Sequence, residues 1–194
     1  RREIPYLLQP VNRTRPNLRG MVGEVISALK SKNYQLLLAA ALVYFGIVST
    51  LAVFDMLVNT YFWRLTGEQL SSLALFAITG PVFGFILAPR LQVYFQKNQI
   101  LCTVMVMQMA FSMVTVAARL SGFFPANDST FFMPLLAILT AMQAFMQVIG
   151  MIALLSMLAD LVDEQELQTG KRPEGVFASG LALATKAFGS VGVI

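Results

Sequence analysis

Lys186 is the residue with the most to explain. It lies eleven residues into an apolar run, 175–194, that holds no other charge. An ammonium near mid-membrane costs roughly 3 kcal/mol, so it calls for a water-filled cavity or an acidic partner. It is either part of a solute or ion path, or one half of an ion pair that only joins helices. Asp55 lies toward the end of another apolar run, with Asn59 one turn further on the same face. That carboxylate either binds a cation or polar solute, or reaches headgroup water. Gln143 and Gln147 stand one turn apart, and Gly150 continues their face. Gln108, Ser112 and Thr115 form a similar stripe. Uncharged polar stripes in lipid line cavities or bond helices together.

Charge returns in the stretch A-D-L-V-D-E-Q-E-L-Q-T-G-K-R-P-E-G, residues 159–175. It reads as a loop in which Asp160, Asp163, Glu164 and Glu166 precede Lys171 and Arg172. The first three acids lie at helical spacing, and Gly170 suits a helix C-cap. The stretch is either a solvated loop or an ion-pair latch that closes one side in one conformation and opens in another. It is not a phosphate-binding loop: Gln165 and Arg172 stand where that motif needs Gly and Ser or Thr.

Composition excludes most other chemistry. The 194 residues include no His, so there is no Ser-His-Asp triad, Cys-His dyad or imidazole metal site. Cys102 is the only cysteine, so neither an internal disulfide nor a CxxC pair can form. No nucleophile–base pair is visible, and an enzyme is not expected. The net charge of +4 is placed to meet a lipid surface rather than nucleic acid. The eleven Met residues read as adaptable packing. No cofactor is expected beyond a coupling Na⁺ or H⁺.

The elements that must carry these residues are membrane helices. Charged residues make up 12% and hydrophobic ones 57%, with mean hydropathy +0.69. A soluble domain carries about 25% charged residues. Five runs predict spans: 36–62, 70–88, 100–118, 131–159 and 175–194. They hold only two of the 24 charged residues, Asp55 and Lys186. About 20 apolar residues cross a bilayer core, and without period-2 alternation the runs are helices rather than barrel strands. Pro81 predicts a kink in the second span. Small residues crowd the fifth and predict a place in the bundle interior.

Lys and Arg set the orientation. The N-terminal stretch and the second-to-third and fourth-to-fifth connections hold 11 of them, against Arg64 and Arg119 on the other side. The positive-inside rule places the N-terminal stretch in the cytoplasm, in a plasma (inner) membrane. Residues 1–33, punctuated by Pro5, Pro10 and Pro16, read as a linker with a short amphipathic helix over 21–32. Residues 34–194 form the transmembrane bundle. An apolar run that reaches Ile194 reads as a piece of a longer chain. Asn127-Asp128-Ser129 is a glycosylation sequon in a predicted outside loop.

Around the charged stretch the sequence resembles the glycoside–pentoside–hexuronide:cation symporters, the melibiose-carrier group of the major facilitator superfamily. The resemblance rests on Ala159-Asp160, Asp163, Glu166, Thr169-Gly170-Lys171-Arg172, Glu174-Gly175 and Lys186. The segment Ala28-Leu29-Lys30 to Asn33 and the Pro89-Arg90-Leu91 ending of the second span are also similar. It implies an all-α transmembrane bundle of the major facilitator type, in which this chain supplies helices seven to eleven of twelve. The last helix and the N-terminal six-helix bundle would be partners outside it. It also implies that the cation-coordinating carboxylates lie mainly in that other bundle. Lys186 would be the helix-eleven lysine of the central cavity, and Asp160, Asp163 and Arg172 would join a cytoplasmic charge network. Leu181 and Ala182 replace a Gln and Thr of melibiose carriers, and Phe95-Gln96-Lys97-Asn98 replaces a Gly-Lys-Arg type loop. The solute is therefore left open.

Together these readings give cation-coupled symport of a small solute, a sugar or glycoside, by alternating access. Lys186, Gln143, Gln147, Asp55 and Asn59 are the expected solute and coupling residues. Asp160, Asp163, Glu166 and Arg172 are the expected cytoplasmic gate. The alternatives are a carrier of lysolipid or another non-sugar solute, and a membrane scaffold without transport.

Overall fold

A computed structural model describes residues 31–169 and 174–189. The predicted linker and its amphipathic helix lie almost wholly outside the described residues, as do Gly170, Lys171, Arg172 and the end of the fifth span. Among the described residues there are helices and no strands. Long apolar runs in lipid leave the backbone no partner but itself, and helices satisfy it.

Helix α1 (Lys32–Leu57) continues into a π turn (Val58–Phe62). Helix α2 (Gly67–Ala77) and α3 (Thr79–Tyr94) form the second span, α4 (Lys97–Leu120) the third and α5 (Phe132–Thr169) the fourth. Helix α6 (Glu174–Gly189) follows. Four stretches are long and apolar enough to cross a membrane: Lys32–Phe62, Gly67–Tyr94, Lys97–Leu120 and Phe132–Leu167. The fifth predicted span is represented by α6, which is shorter within the described residues. The chain is an integral membrane protein.

The second span is interrupted at Ile78, which keeps helical geometry between α2 and α3. Pro81 has no N–H to donate to the carbonyl four residues before it, so the interruption falls where the proline predicts. One boundary differs from expectation. The acidic stretch is not a loop up to Gly175: α5 runs 38 residues and carries Asp160, Asp163, Glu164 and Glu166 on helix. Glu, Gln and Leu are good helix formers, so nothing stops the helix before Gly170.

The closest packing joins α3 to α5. Gly80, Gly84 and Ala88 recur every four residues and are all buried. A Cβ on Gly80 would overlap the Ala141 carbonyl oxygen and stand 2.8 Å from the Phe145 nitrogen. Small residues in that register let two backbones touch, and the contact is van der Waals packing rather than hydrophobic burial. The main core gathers Leu37, Ala41, Tyr44, Val104, Ile149 and Leu154 from α1, α4 and α5.

Helix α6 lies against α1. Its Phe177 meets Tyr34 edge-on, with ring centroids 4.3 Å apart. Of its small residues, Gly180 packs against Tyr34, where a Cβ would overlap the Tyr34 hydroxyl, while Ala178, Ser179 and Ala182 are exposed. Phe177 and Leu181 are buried beside it.

Candidate functional site

Two spaces open between α1, α4 and α5, each with polar side chains among its lining. The larger holds about 650 Å³ and is bordered by Asp55, Asn59, Trp63, Ser112, Thr115 and Gln143, among others. Beside it lies a recess of about 190 Å³, bordered by Asp55, Gln108, Thr140, Gln143 and Gln147. Asp55, Thr140 and Gln143 border both.

The helical stripes of the sequence build this region. Gln143 Nε2 donates to Ser112 Oγ at 2.8 Å, joining the α5 stripe to the α4 stripe. The Thr115 and Thr140 hydroxyls donate to the carbonyls of Phe111 and Leu136, at 2.8 and 2.9 Å. Those back-bonds use each hydroxyl hydrogen and leave oxygen lone pairs. Gln108 is only 3% exposed, and its Oε1 has no hydrogen-bond partner. Tyr44 crosses from α1 and donates to the Gln147 carbonyl at 2.6 Å. Its ring lies against Gly150, where a Cβ would come within 2.7 Å.

Asn59 sits in the π turn. The Trp63 N–H donates to the Val58 carbonyl at 2.8 Å, closing the wider loop that defines such a turn. π turns recur at functional sites because they re-aim side chains within a helix. Nothing in the local sequence signals this one. Arg64, at φ 53°, then reverses the chain, and a Thr66–Gln69 capping box starts α2.

The profile of the MFS/sugar transport protein family matches residues 3–194. The chain belongs to that family. No curated protein and no solved structure matches it. That family is one of membrane transporters, where the sequence alone had left a scaffold open.

Of the residues expected at the transporter's site, Asp55, Asn59 and Gln143 border the larger cavity, and Gln147 joins Asp55 and Gln143 at the recess. Lys186 does not meet them: it is exposed on α6 and borders neither space.

At the end of the bundle that carries the N-terminus, here the basic end, Asp160 pairs with Lys97 at the start of α4, Nζ to Oδ2 2.6 Å. Asn33 Nδ2 lies 3.2 and 3.1 Å from the two carboxylate oxygens of Glu164. The expected partner Arg172 lies outside the described residues. Asp163 and Glu166 lie on α5 with Asp160, and each has a polar or electrostatic partner. Sequence reasoning did not find Lys97 and Asn33. Each is a polar residue at the edge of an apolar run, and no spacing says which acid a helix start will meet.

At the opposite, aromatic end, Trp63 is 3% exposed and packs with Phe62, Phe124 and Phe132. The Arg119 guanidinium lies 5.4 Å from the Trp63 ring and 5.7 Å from that of Phe132. It donates to the Pro125 carbonyl at 2.5 Å and to Asn127 Oδ1. Asn127 Nδ2 in turn donates to the Trp63 carbonyl at 2.9 Å. The sequon asparagine is thus a tie between two loops.

Proposed function

We propose that this chain is the C-terminal bundle of a cation-coupled symporter similar to the melibiose carriers, carrying a small polyhydroxylated solute by alternating access. The observation that carries the reading is the cavity of about 650 Å³. Asp55, Asn59, Ser112, Thr115 and Gln143 offer it both donors and acceptors, the mixture a ring of hydroxyls requires.

In this reading the other six-helix bundle completes the central path, with Lys186 facing it from α6. The N-terminus is cytoplasmic, in a plasma (inner) membrane. Asp160, with Lys97, Asp163, Glu166 and Arg172, closes the cytoplasmic side in one conformation. A half-exposed ion pair suits a contact that must break each cycle, since such pairs contribute about 1 kcal/mol or less.

A second reading has its own observation. Phe54, Met109, Met113, Leu136 and Leu139 also line the cavity. An amphipathic solute such as a lysolipid would set its polar head at Asp55 and Gln143 and its chain along these residues.

The test is uptake by the full-length protein in proteoliposomes, with labelled sugars and lysolipids, with and without a Na⁺ or pH gradient. Gradient-driven accumulation of a sugar, reduced at least tenfold by Asn59→Ala or Gln143→Ala, supports the first reading. Lysolipid uptake with the same sensitivity supports the second. Lys186→Ala is expected to abolish coupled uptake; unchanged accumulation would remove its assigned role.

A further inference from the structure

We propose that the recess bordered by Asp55, Gln108, Thr140, Gln143 and Gln147 binds one Na⁺ ion, beside the solute cavity rather than in it. Its coupling consequence rests on the transporter reading above; the binding itself does not.

The recess brings together several oxygen acceptors, one of them unbonded. Gln108 Oε1 is buried without a partner, and a buried acceptor left unbonded is destabilising unless something donates to it or coordinates through it. The Thr140 hydroxyl hydrogen is used on the Leu136 carbonyl, and one of the two Gln143 amide hydrogens on Ser112. Each then has an oxygen left to offer. Asp55 adds a carboxylate, and among the described residues no Lys or Arg pairs with it.

The donor set selects the class of ion. Carboxylate, amide carbonyl and hydroxyl oxygens suit hard cations, and no thiolate or imidazole is present for softer metals. One carboxylate among neutral oxygens balances a single positive charge. Divalent calcium sites gather several carboxylates, and affinity follows that charge count. A solute hydroxyl could donate to Gln108, but it would bring no charge to balance the Asp55 carboxylate.

The position gives the ion a role. Asp55, Thr140 and Gln143 border both the recess and the larger cavity. An ion that orders these side chains prearranges one wall of the solute cavity, and a bound solute raises ion affinity by the same factor. This site is additional to the carboxylates that the family resemblance places in the other bundle.

The experiment is equilibrium binding of ²²Na⁺ to the purified full-length protein in detergent, first without solute. Wild type is expected to bind one more Na⁺ than Asp55→Asn or Gln108→Leu, or to bind it at least tenfold more tightly. Excess Li⁺ should compete, and choline should not. Asp55→Asn is nearly isosteric, so it reads the site even where Gln108→Leu disturbs packing. Identical stoichiometry and affinity in wild type and Asp55→Asn would overturn the proposal, as would no Na⁺ binding by wild type. Solute uptake separates the two readings. Uptake with unaltered Na⁺ binding in the variants sinks the recess and keeps the transporter function. Site-dependent Na⁺ binding with no solute uptake keeps the recess and sinks that function.

Discussion

Arg119 at the aromatic end sits among rings that are almost fully enclosed, with Trp63 3% and Phe132 1% exposed. Lys97 and Asp160 at the basic end show 29% and 61% of their side chains to solvent. Both ends tie α5 to α4 or its neighbouring loops through a cation. They differ in what surrounds it. Aromatic faces flank the half-buried Arg119, and its bond to the Pro125 carbonyl is part-buried. Water competes for Lys97 and Asp160 throughout. The aromatic end is therefore expected to be the firmer of the two.

Trp63→Ala should break the contrast most severely. It removes the ring on which Phe124 and Phe132 pack, at 4.7 and 5.8 Å between centroids, and should cost about 3–5 kcal/mol. Thermal unfolding of the detergent-solubilised protein would show it; a loss below about 1 kcal/mol would mean that this end is no firmer than the other. Arg119→Ala comes next, at about 2–3 kcal/mol, since it leaves the Pro125 carbonyl and Asn127 without their donor. Arg119→Lys keeps the charge but not the fork, and should recover only part of the loss.

Lys97→Ala should change stability least, by about 1 kcal/mol or less and less still at high salt. Its effect belongs on the rate at which the basic end opens, measured by the accessibility of a cysteine placed there. Exchanging the charges, Lys97→Asp with Asp160→Lys, should restore the wild-type rate if the pair itself is what counts.

Much of this organisation was legible in the chain. The spans, the Gln143 and Ser112 stripes and the nearness of Asp55 to Asn59 follow from apolar length and helical spacing, which are local properties. The α3–α5 contact was only half visible. Gly80 and Gly84 stand out, but identifying their partner requires knowing which helix lies alongside. The small residues of α6 were half legible for the same reason: Gly180 makes the close approach to Tyr34, but the spacing does not say which of them will. Lys97 with Asp160, and Asn33 with Glu164, pair across 63 and 131 residues, a separation that no periodicity reports. The π turn was hidden because one extra residue in a helical turn leaves the composition unchanged.

Helix α5 has 38 residues, about 57 Å of rod at 1.5 Å per residue. A bilayer core is about 30 Å thick, so a substantial length of α5 stands clear of it, with Asp160 and Glu164 on that overhang. It works as a lever arm. A tilt of about 10° around the level of Gln143 would swing a point some 30 Å away by about 5 Å, enough to part Lys97 from Asp160. Near the pivot the same tilt moves side chains by about an ångström. A small adjustment near Gln143 would thereby be magnified into a gap at the far tip.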